Sequence, residues 1–452
     1  MARKDADMTR GDIWRHFLSF SVPLAIGLLF QQLYNTVDSV VVGQYVGQEA
    51  LAAVGSTGSI INMLIALCNG LSMGAGVLIS QCYGAHDEKR LHTAVQTTVT
   101  VAFLLCIAAT AVGLMLVRPM LRMMQTPENV FSESEQYLTL YFCGISGLLL
   151  YNVGSAILRA VGDSRRPLFF LVFSALTNTV LDLVFVVKFG MGVRGVALAT
   201  IIAQGLSAVL VFIALTREKG AYGIRWRHLG ISMPELKRVF AMGAPAGIQQ
   251  ALTSFSNVFV QSYINAFGSA CMAGWNGYNK LDAFLTVPVM AIAQASTTFV
   301  GQNWGGDKPH RARKGVRFAL IAALCCMAAL AVLLMCFARP LMHLFSPDQE
   351  VIDFGVRFIH IITPFYITIC FNQIFAGALR GIGNARTPMV IMLGSFVVFR
   401  QLYLLVSSWL GWGFVGVALA YPLGWVVCST ALTVCYRRSA LFHFKRNVPD
   451  AA

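Results

Sequence analysis

Apolar residues run along this chain in long blocks, parted by short polar stretches. Blocks of this length cross a bilayer as helices, because lipid offers no partner to an unpaired backbone. Twelve spans are predicted, near residues 17–42, 55–79, 93–117, 135–158, 167–189, 193–215, 239–265, 276–300, 315–337, 354–377, 388–410 and 413–435. The stretch 17–47 breaks its own apolar pattern with Gln31, Asn35 and Asp38, whose i, i+4, i+7 spacing puts all three on one helix face. Pro23 predicts a kink near its start. A carboxylate inside a span is costly and marks a site facing other helices or a water-filled cavity. The competing reading, an end residue reaching the headgroups, stays open from this span alone.

Composition agrees with the pattern. Apolar residues make up 57% of the 452 and charged ones 12%, against about a quarter charged in soluble domains. The fold class is an all-α polytopic membrane protein. The eleven cysteines lie singly or adjacent inside apolar runs, without CxxC or His/Cys ligand spacing, and read as small core residues. The first sixteen residues are too long and acidic for a signal peptide, so the first span is expected to be retained.

The net charge of +14 invites a nucleic-acid reading, but the basic residues scatter over the tails and the even-numbered loops. The positive-inside rule then places both termini in the cytoplasm of a multi-pass plasma-membrane (bacterial inner-membrane) protein, with no nucleic-acid partner. The longest loop, 217–238, is a basic cytoplasmic linker. It divides the chain into six-helix lobes at 1–216 and 239–436, followed by a cytoplasmic tail at 437–452.

The two lobes repeat. LRAVGDSRRPL from Leu158 matches LRGIGNARTPM from Leu379, and GVRGVALAT from Gly192 matches GFVGVALAY from Gly413, both at an offset of 221 residues. Arg118-Pro119 matches Arg339-Pro340, and Gln81-Cys-Tyr-Gly84 matches Gln302-Asn-Trp-Gly305, at the same offset. Six spans per copy make the repeats parallel, related by an axis along the membrane normal around a central cavity, which is the geometry of alternating access.

The acids well within the spans are Asp38, Asp182 and Asp282. Asn178 lies one turn before Asp182, and Thr200 reaches a similar depth on the sixth span, with Asn152 somewhat deeper on the fourth. Two carboxylates with amide and hydroxyl partners form an oxygen site for Na⁺ or a proton-sharing pair; the bland reading is a structural polar knot. The counterpart of the first span keeps Gln250, Ser254, Asn257 and Gln261 but no acid, and Asp182 aligns with Tyr403, so the carboxylate site belongs to the first lobe alone. The second lobe carries Lys280, Asp282 and Arg400, and an Asp282–Arg400 ion pair across helices is expected. His360 reads as a hydrogen-bonded core histidine. Candidate substrate-cavity residues are Gln31, Tyr34, Asn35, Asn257, Tyr278, Lys280, Asp282 and Arg400, with Phe30, Met63, Phe255, Phe284 and Tyr366 as further aromatic or apolar wall. Gly70-Leu-Ser-Met-Gly74 fits the GxSxG nucleophile pattern but sits inside a span, where its glycines suit close helix packing. There is no GxxxxGK[ST], hence no phosphate loop and no ATP partner, and no HExxH. An enzyme is not expected.

The run Gln31-Gln-Leu-Tyr-Asn-Thr-Val-Asp38, then Gly43-Gln-Tyr-Val-Gly47, Gly74-Ala-Gly76 with Ser80-Gln81, and the paired Leu158-Arg-Ala-Val-Gly162 and Leu379-Arg-Gly-Ile-Gly383 resemble the multidrug and toxic-compound extrusion (MATE) family over nearly the whole chain. The resemblance implies an antiporter that expels organic, often cationic compounds in exchange for H⁺ or Na⁺, without other cofactors and as a monomer. It implies a first-lobe cation site at Asp38, Asn178, Asp182 and Thr200. The acids that some members carry on the seventh and tenth spans are missing, with Ser254, Asn372 and Gln373 nearby. A flippase for a lipid-linked precursor, favoured by a cationic cavity, and a proton-translocating subunit of a respiratory complex are the rival readings.

Overall fold

The computed structural model describes residues 7–41, 48–123, 126 and 128–443; within these, the side chains of 35, 37–41, 48–60, 62–64, 67 and 129 lie outside the description. In chain order the helices are α1 Ile13–Val41, α2 Gln48–Gly84, α3 Glu88–Met123, α4 Glu128–Ala160, α5 Arg165–Asp182, which runs on as a π-turn Leu183–Lys188, and α6 Gly192–Arg217. A 3₁₀ turn, Trp226–His228, precedes α7 Met233–Asn265, α8 Ser269–Gly305, α9 Pro309–Cys336 and the short α10 Ala338–His343. Then come α11 Gln349–Ile362 and α12 Tyr366–Gly381 about a 3₁₀ turn Thr363–Phe365, α13 Arg386–Leu393 and α14 Arg400–Trp409 about a π-turn Gly394–Phe399, α15 Gly413–Arg438 and α16 Ala440–His443. Ten helical stretches among the described residues are long and apolar enough to cross a membrane; α2 and α7 are the other long helices. The helices outrun the expected spans because hydropathy marks only the part that lies in hydrocarbon. The expected tenth span is two helices, since Pro364 has no N–H to continue the ladder. By contrast α1 passes through Pro23 as one helix.

The repeat is written into the backbone. Gly162 and Gly383, 221 residues apart, have φ of 93° and 90° and close the same helix-ending turn. Gly162 N–H donates to Arg159 O at 3.0 Å and Asp163 N–H to Leu158 O at 2.9 Å; Gly383 and Asn384 repeat these bonds at 2.8 and 2.9 Å. A left-handed residue after the last helical turn is where glycine has the least strain. Even the non-glycine outliers recur at the same offset, His86 at φ 54° and Asp307 at φ 53°.

The described residues divide into two compact units, one drawn from 23–247 and the other from 7–22 with 248–443. The first unit is centred on buried Leu78, Ile79, Val95, Val153, Ile157 and Leu215. Within it α2 and α7 meet backbone to backbone: a Cβ on Gly74 would lie 2.3 Å from Val239 O, and one on Gly70 would lie 2.6 Å from Gly247 Cα. The serine of that GxSxG run, Ser72, donates to Cys68 O at 3.1 Å, so the motif is a packing seam. The linker lies on the same unit. Tyr222 and Ile224 are buried, Gln96 donates to Gly223 O at 3.2 Å, and Arg90 pairs with Glu235 at 3.0 Å. In the second unit the residues before α1 are held in the same manner: Met8 N–H donates to Gln302 Oε1 at 3.0 Å and Arg311 Nε donates to Met8 O at 3.1 Å. Phe17 packs on Phe299 with ring centroids 5.1 Å apart. Arg90 and Arg311 are again 221 residues apart, so each clamps the lead-in to the first helix of a half. The cysteines are free thiols, with Cys143, Cys325 and Cys336 on exposed helix faces.

Candidate functional site

In the first unit, α5 and α6 pack side by side, and Ser174 Oγ donates across to Ala203 O at 2.7 Å. One turn along each antiparallel helix from that bond lie Asn178 on α5 and Thr200 on α6, which puts them at one level. Asn178 is 2% exposed, Asp182 0% and Thr200 8%. Thr200 Oγ1 donates to Val196 O at 3.0 Å, which leaves its lone pairs as acceptors. Among the described residues the amide of Asn178 has no hydrogen-bond partner at either its oxygen or its nitrogen. A buried amide in that state costs about 1–3 kcal/mol unless something completes it. Directly after Asp182 the helix widens into the π-turn, a distortion that frequently accompanies functional sites. Asn152 donates back to Leu148 O at 3.0 Å on its own helix, so its nitrogen is committed locally. The backbone of Asp38 and Asn35 lies on α1, while their side chains, like that of Met63, fall outside the described residues. Gln31 and Tyr34 are half-buried.

In the second unit the expected Asp282–Arg400 ion pair does not form. Asp282 accepts from Tyr366 Oη at 2.5 Å, and Tyr278 Oη lies 2.9 Å from Tyr366 Oη. Because Tyr366 commits its proton to the carboxylate, Tyr278 is the donor of the second bond. Arg400 donates instead to Ser256 Oγ and Asn257 Oδ1, both at 2.8 Å, and its guanidinium lies over the ring of Tyr421 at 4.9 Å. Aromatic rings fill the way between the two charges: Tyr421 packs on Trp425 at 6.2 Å, and Trp425 on Tyr366 at 5.8 Å. Neutral partners nearer than the opposite charge win both residues. Tyr278 is also corrected as a cavity-wall candidate, being 2% exposed and packed on Trp275 and Phe358; Tyr366 is wholly buried. Asn257, Lys280, Phe255 and Phe30 are exposed, and Phe284 is half-buried. His360 bonds Val356 O at 2.9 Å but from an exposed face rather than the core.

Sequence reasoning missed Ser256, which holds Arg400 and also receives Gln401 Nε2 at 2.9 Å. Its place one residue before Asn257 was the available signal. It missed Tyr366 as the partner of Asp282, since nothing local joins residues so far apart. Among the described residues no three His, Cys, Asp or Glu side chains converge; the first-unit candidates are instead one carboxylate with amide and hydroxyl oxygens, the donor types that suit a hard cation.

The MatE family model matches residues 23–184 and 245–403. The chain is 30% identical over 441 residues to "Probable multidrug resistance protein YpnP" of Bacillus subtilis, covering 96% of this chain and 97% of that one. It is 26% identical to "Probable multidrug resistance protein NorM" of Thermotoga maritima, covering 88% and 89%, and 24% identical to a "FAD transporter" of Shewanella oneidensis, covering 91% of both. Among solved structures, a MOP superfamily transporter from Pyrococcus furiosus superposes with a TM-score of 0.92 at 23% identity, covering 98% and 99%. A MATE structure in the straight conformation superposes at 0.91 and 24%, with the same coverage.

Proposed function

This chain belongs to the MatE family, and from that premise we propose that it is a secondary multidrug antiporter, exporting organic, often cationic compounds in exchange for H⁺ or Na⁺. Members of this family are multi-pass membrane transporters and not enzymes. The reading is supported above all by one observation: a fully buried Asp182 one turn from a buried Asn178 amide whose two polar atoms have no partner among the described residues. A cation taken up between them supplies what the amide oxygen lacks and offsets the desolvated carboxylate.

In this mechanism H⁺ or Na⁺ enters from outside and neutralises Asp182 together with Asp38 on α1. Loss of that charge shifts α1, whose Pro23 lacks an intrahelical N–H, and drug leaves from the outward-facing state. The ion then departs to the cytoplasm and the next drug binds there. One net charge moving across 100 mV supplies about 2.3 kcal/mol, close to a fiftyfold gradient at about 1.36 kcal/mol per tenfold. No ATP is consumed, and the transporter acts as a monomer in the inner membrane with both termini cytoplasmic.

The test is cationic-dye transport in proteoliposomes, with ΔpH and ΔNa⁺ imposed separately, for the wild type, Asp38→Asn and Asp182→Asn. Dye movement that follows one gradient and vanishes in both variants supports the reading and names the ion. Dye movement unchanged in both variants sinks it. A second reading, an anionic substrate such as a lipid-linked phosphate, is favoured by Arg400, a buried cation whose described partners are neutral. A flippase assay with fluorescent lipid-linked phosphate, retained in the Asp182→Asn variant, selects it.

A further inference from the structure

The third helices of the two halves, α3 and α9, begin with different chemistry. On α3, His92, Thr93 and Gln96 lie beside the linker: Gln96 Nε2 donates to Gly223 O at 3.2 Å, and the rings of His92 and His228 are 6.1 Å apart. Their counterparts 221 residues on are Arg313, Lys314 and Arg317, all exposed. Arg313 is fixed in place, with its guanidinium 3.9 Å over the ring of Phe442 and its Nη1 donating to Phe442 O at 3.4 Å. Phe442 packs in turn on Tyr436, with ring centroids 6.0 Å apart. The next two residues, Arg437 and Arg438, end α15 and are exposed. Five exposed cations thus gather where α9 starts and α15 ends. Among the described residues none of the five forms an ion pair. No Asp or Glu occurs in 308–347 or 354–449, so neither helix supplies one. Lys314 and Arg317 also head a stripe. With Ile321, Cys325, Ala328 and Val332 they recur at steps of three and four, hence on one face of α9, and every one is exposed. Ile321 and Val332 are 52% and 60% exposed on a helix apolar enough to span a membrane. Such a face suits hydrocarbon, and a Lys–Arg pair at its head reaches the layer of lipid phosphates.

We propose that this patch is a docking surface for an anionic phospholipid, with its phosphate held by Lys314, Arg317 and the Arg437–Arg438 pair and its acyl chains along the Ile321–Val332 face. The charge is unanswered among the described residues, and a phosphate supplies the counter-ion. The apolar stripe selects a phosphate that carries chains over a free one. An acidic protein segment would match the charge but not the stripe. A bound headgroup bridges the ends of α9 and α15, as Arg313 and Phe442 do. The first-half counterparts of the five cations, His92, Thr93, Gln96, Thr216 and Arg217, retain a single arginine, so the surface belongs to the second half alone.

The experiment is native mass spectrometry of the full-length protein in detergent, with phosphatidylglycerol, phosphatidylcholine or glycerol 3-phosphate added at equal concentration. The wild type is expected to retain phosphatidylglycerol about tenfold better than phosphatidylcholine, a difference near 1.4 kcal/mol. Lys314→Gln with Arg317→Gln is expected to bring the two lipids within about twofold of each other. Both side chains are exposed, so this double variant is expected to keep its fold, which an unchanged thermal midpoint checks. Arg217→Gln, the first-half counterpart of Arg438, is expected to leave the preference intact. Equal retention of the two lipids by the wild type, an undiminished preference in the double variant, an equal loss in Arg217→Gln, or glycerol 3-phosphate displacing the lipid overturns the proposal. Arg437→Gln with Arg438→Gln carries the same test if the first double variant does not fold.

Discussion

The two halves repeat the same helix-ending turns and differ in their buried chemistry. Their helix-ending turns agree to within a few degrees at Gly162 and Gly383, yet where the first half has Asn178 and Asp182 the second has Phe399 and Tyr403. In the second half Asp282 is answered by Tyr366, and Arg400 by Ser256 and Asn257 through its terminal nitrogen, its Nε having no partner among the described residues. In the first, no described residue answers the Asn178 amide. A buried amide without a partner holds free energy that a ligand can release. The π-turns follow the same division, one starting directly after Asp182 and the other ending directly before Arg400. The two copies keep the same helix-ending turns, while each places its charges independently.

The largest expected effect breaks the comparison if it fails. Asp182→Asn should abolish ion-driven transport, at least about tenfold, while Asp282→Asn, whose carboxylate is already bonded to a tyrosine, should keep most of it; equal loss in liposome assays would erase the asymmetry. Next, Tyr366→Phe should destabilise by about 1–3 kcal/mol, because it strips a donor from a buried carboxylate. Asn178→Leu should leave thermal stability in detergent unchanged or raised, because it removes at similar volume an amide with no partner among the described residues, yet it should slow coupling. Third, Arg400→Met should alter stability by no more than about 1 kcal/mol, since its desolvation is relieved as its bonds are lost; the readout is the same unfolding midpoint. Smallest, Thr200→Val should reduce the gradient-driven rate only a few-fold, and Thr200→Ser should restore it, because one hydroxyl oxygen is what the site loses.

Much of this was legible in the chain. Apolar blocks told of the spans, the fixed offset told of the repeat, and i, i+4 spacing put Asn178 and Asp182 on one face. The Gly70 and Gly74 pair announced a seam because two glycines one turn apart admit a backbone. What spacing cannot convey is which neighbour stands nearer. Asp282 and Arg400 invited a pairing on charge alone, but the partner of each depends on how α8, α12, α14 and α7 pack, with Tyr421 and Trp425 filling the gap. The break at Pro364 was visible and was hidden by the apolar run around it. The π-turns have no local signature, since the extra residue fits only against a particular neighbour. Asp38, the acid that drew attention first, has its side chain outside the described residues, so its role rests on its place along α1.

The two lead-ins carry a consequence for how the polypeptide comes apart. Residues 7–22, at the head of the first half, are seated in the second unit, and residues 233–247, at the head of the second half, are seated in the first. A nick in the linker between Arg225 and Met233 would therefore not yield two separable bodies. Each fragment would keep a segment threaded into the other's core, Met8 and Phe17 in one direction and the Gly243–Gly247 seam in the other. The fragments should co-purify as an interlocked pair, and neither should reach its final form before the other has been made.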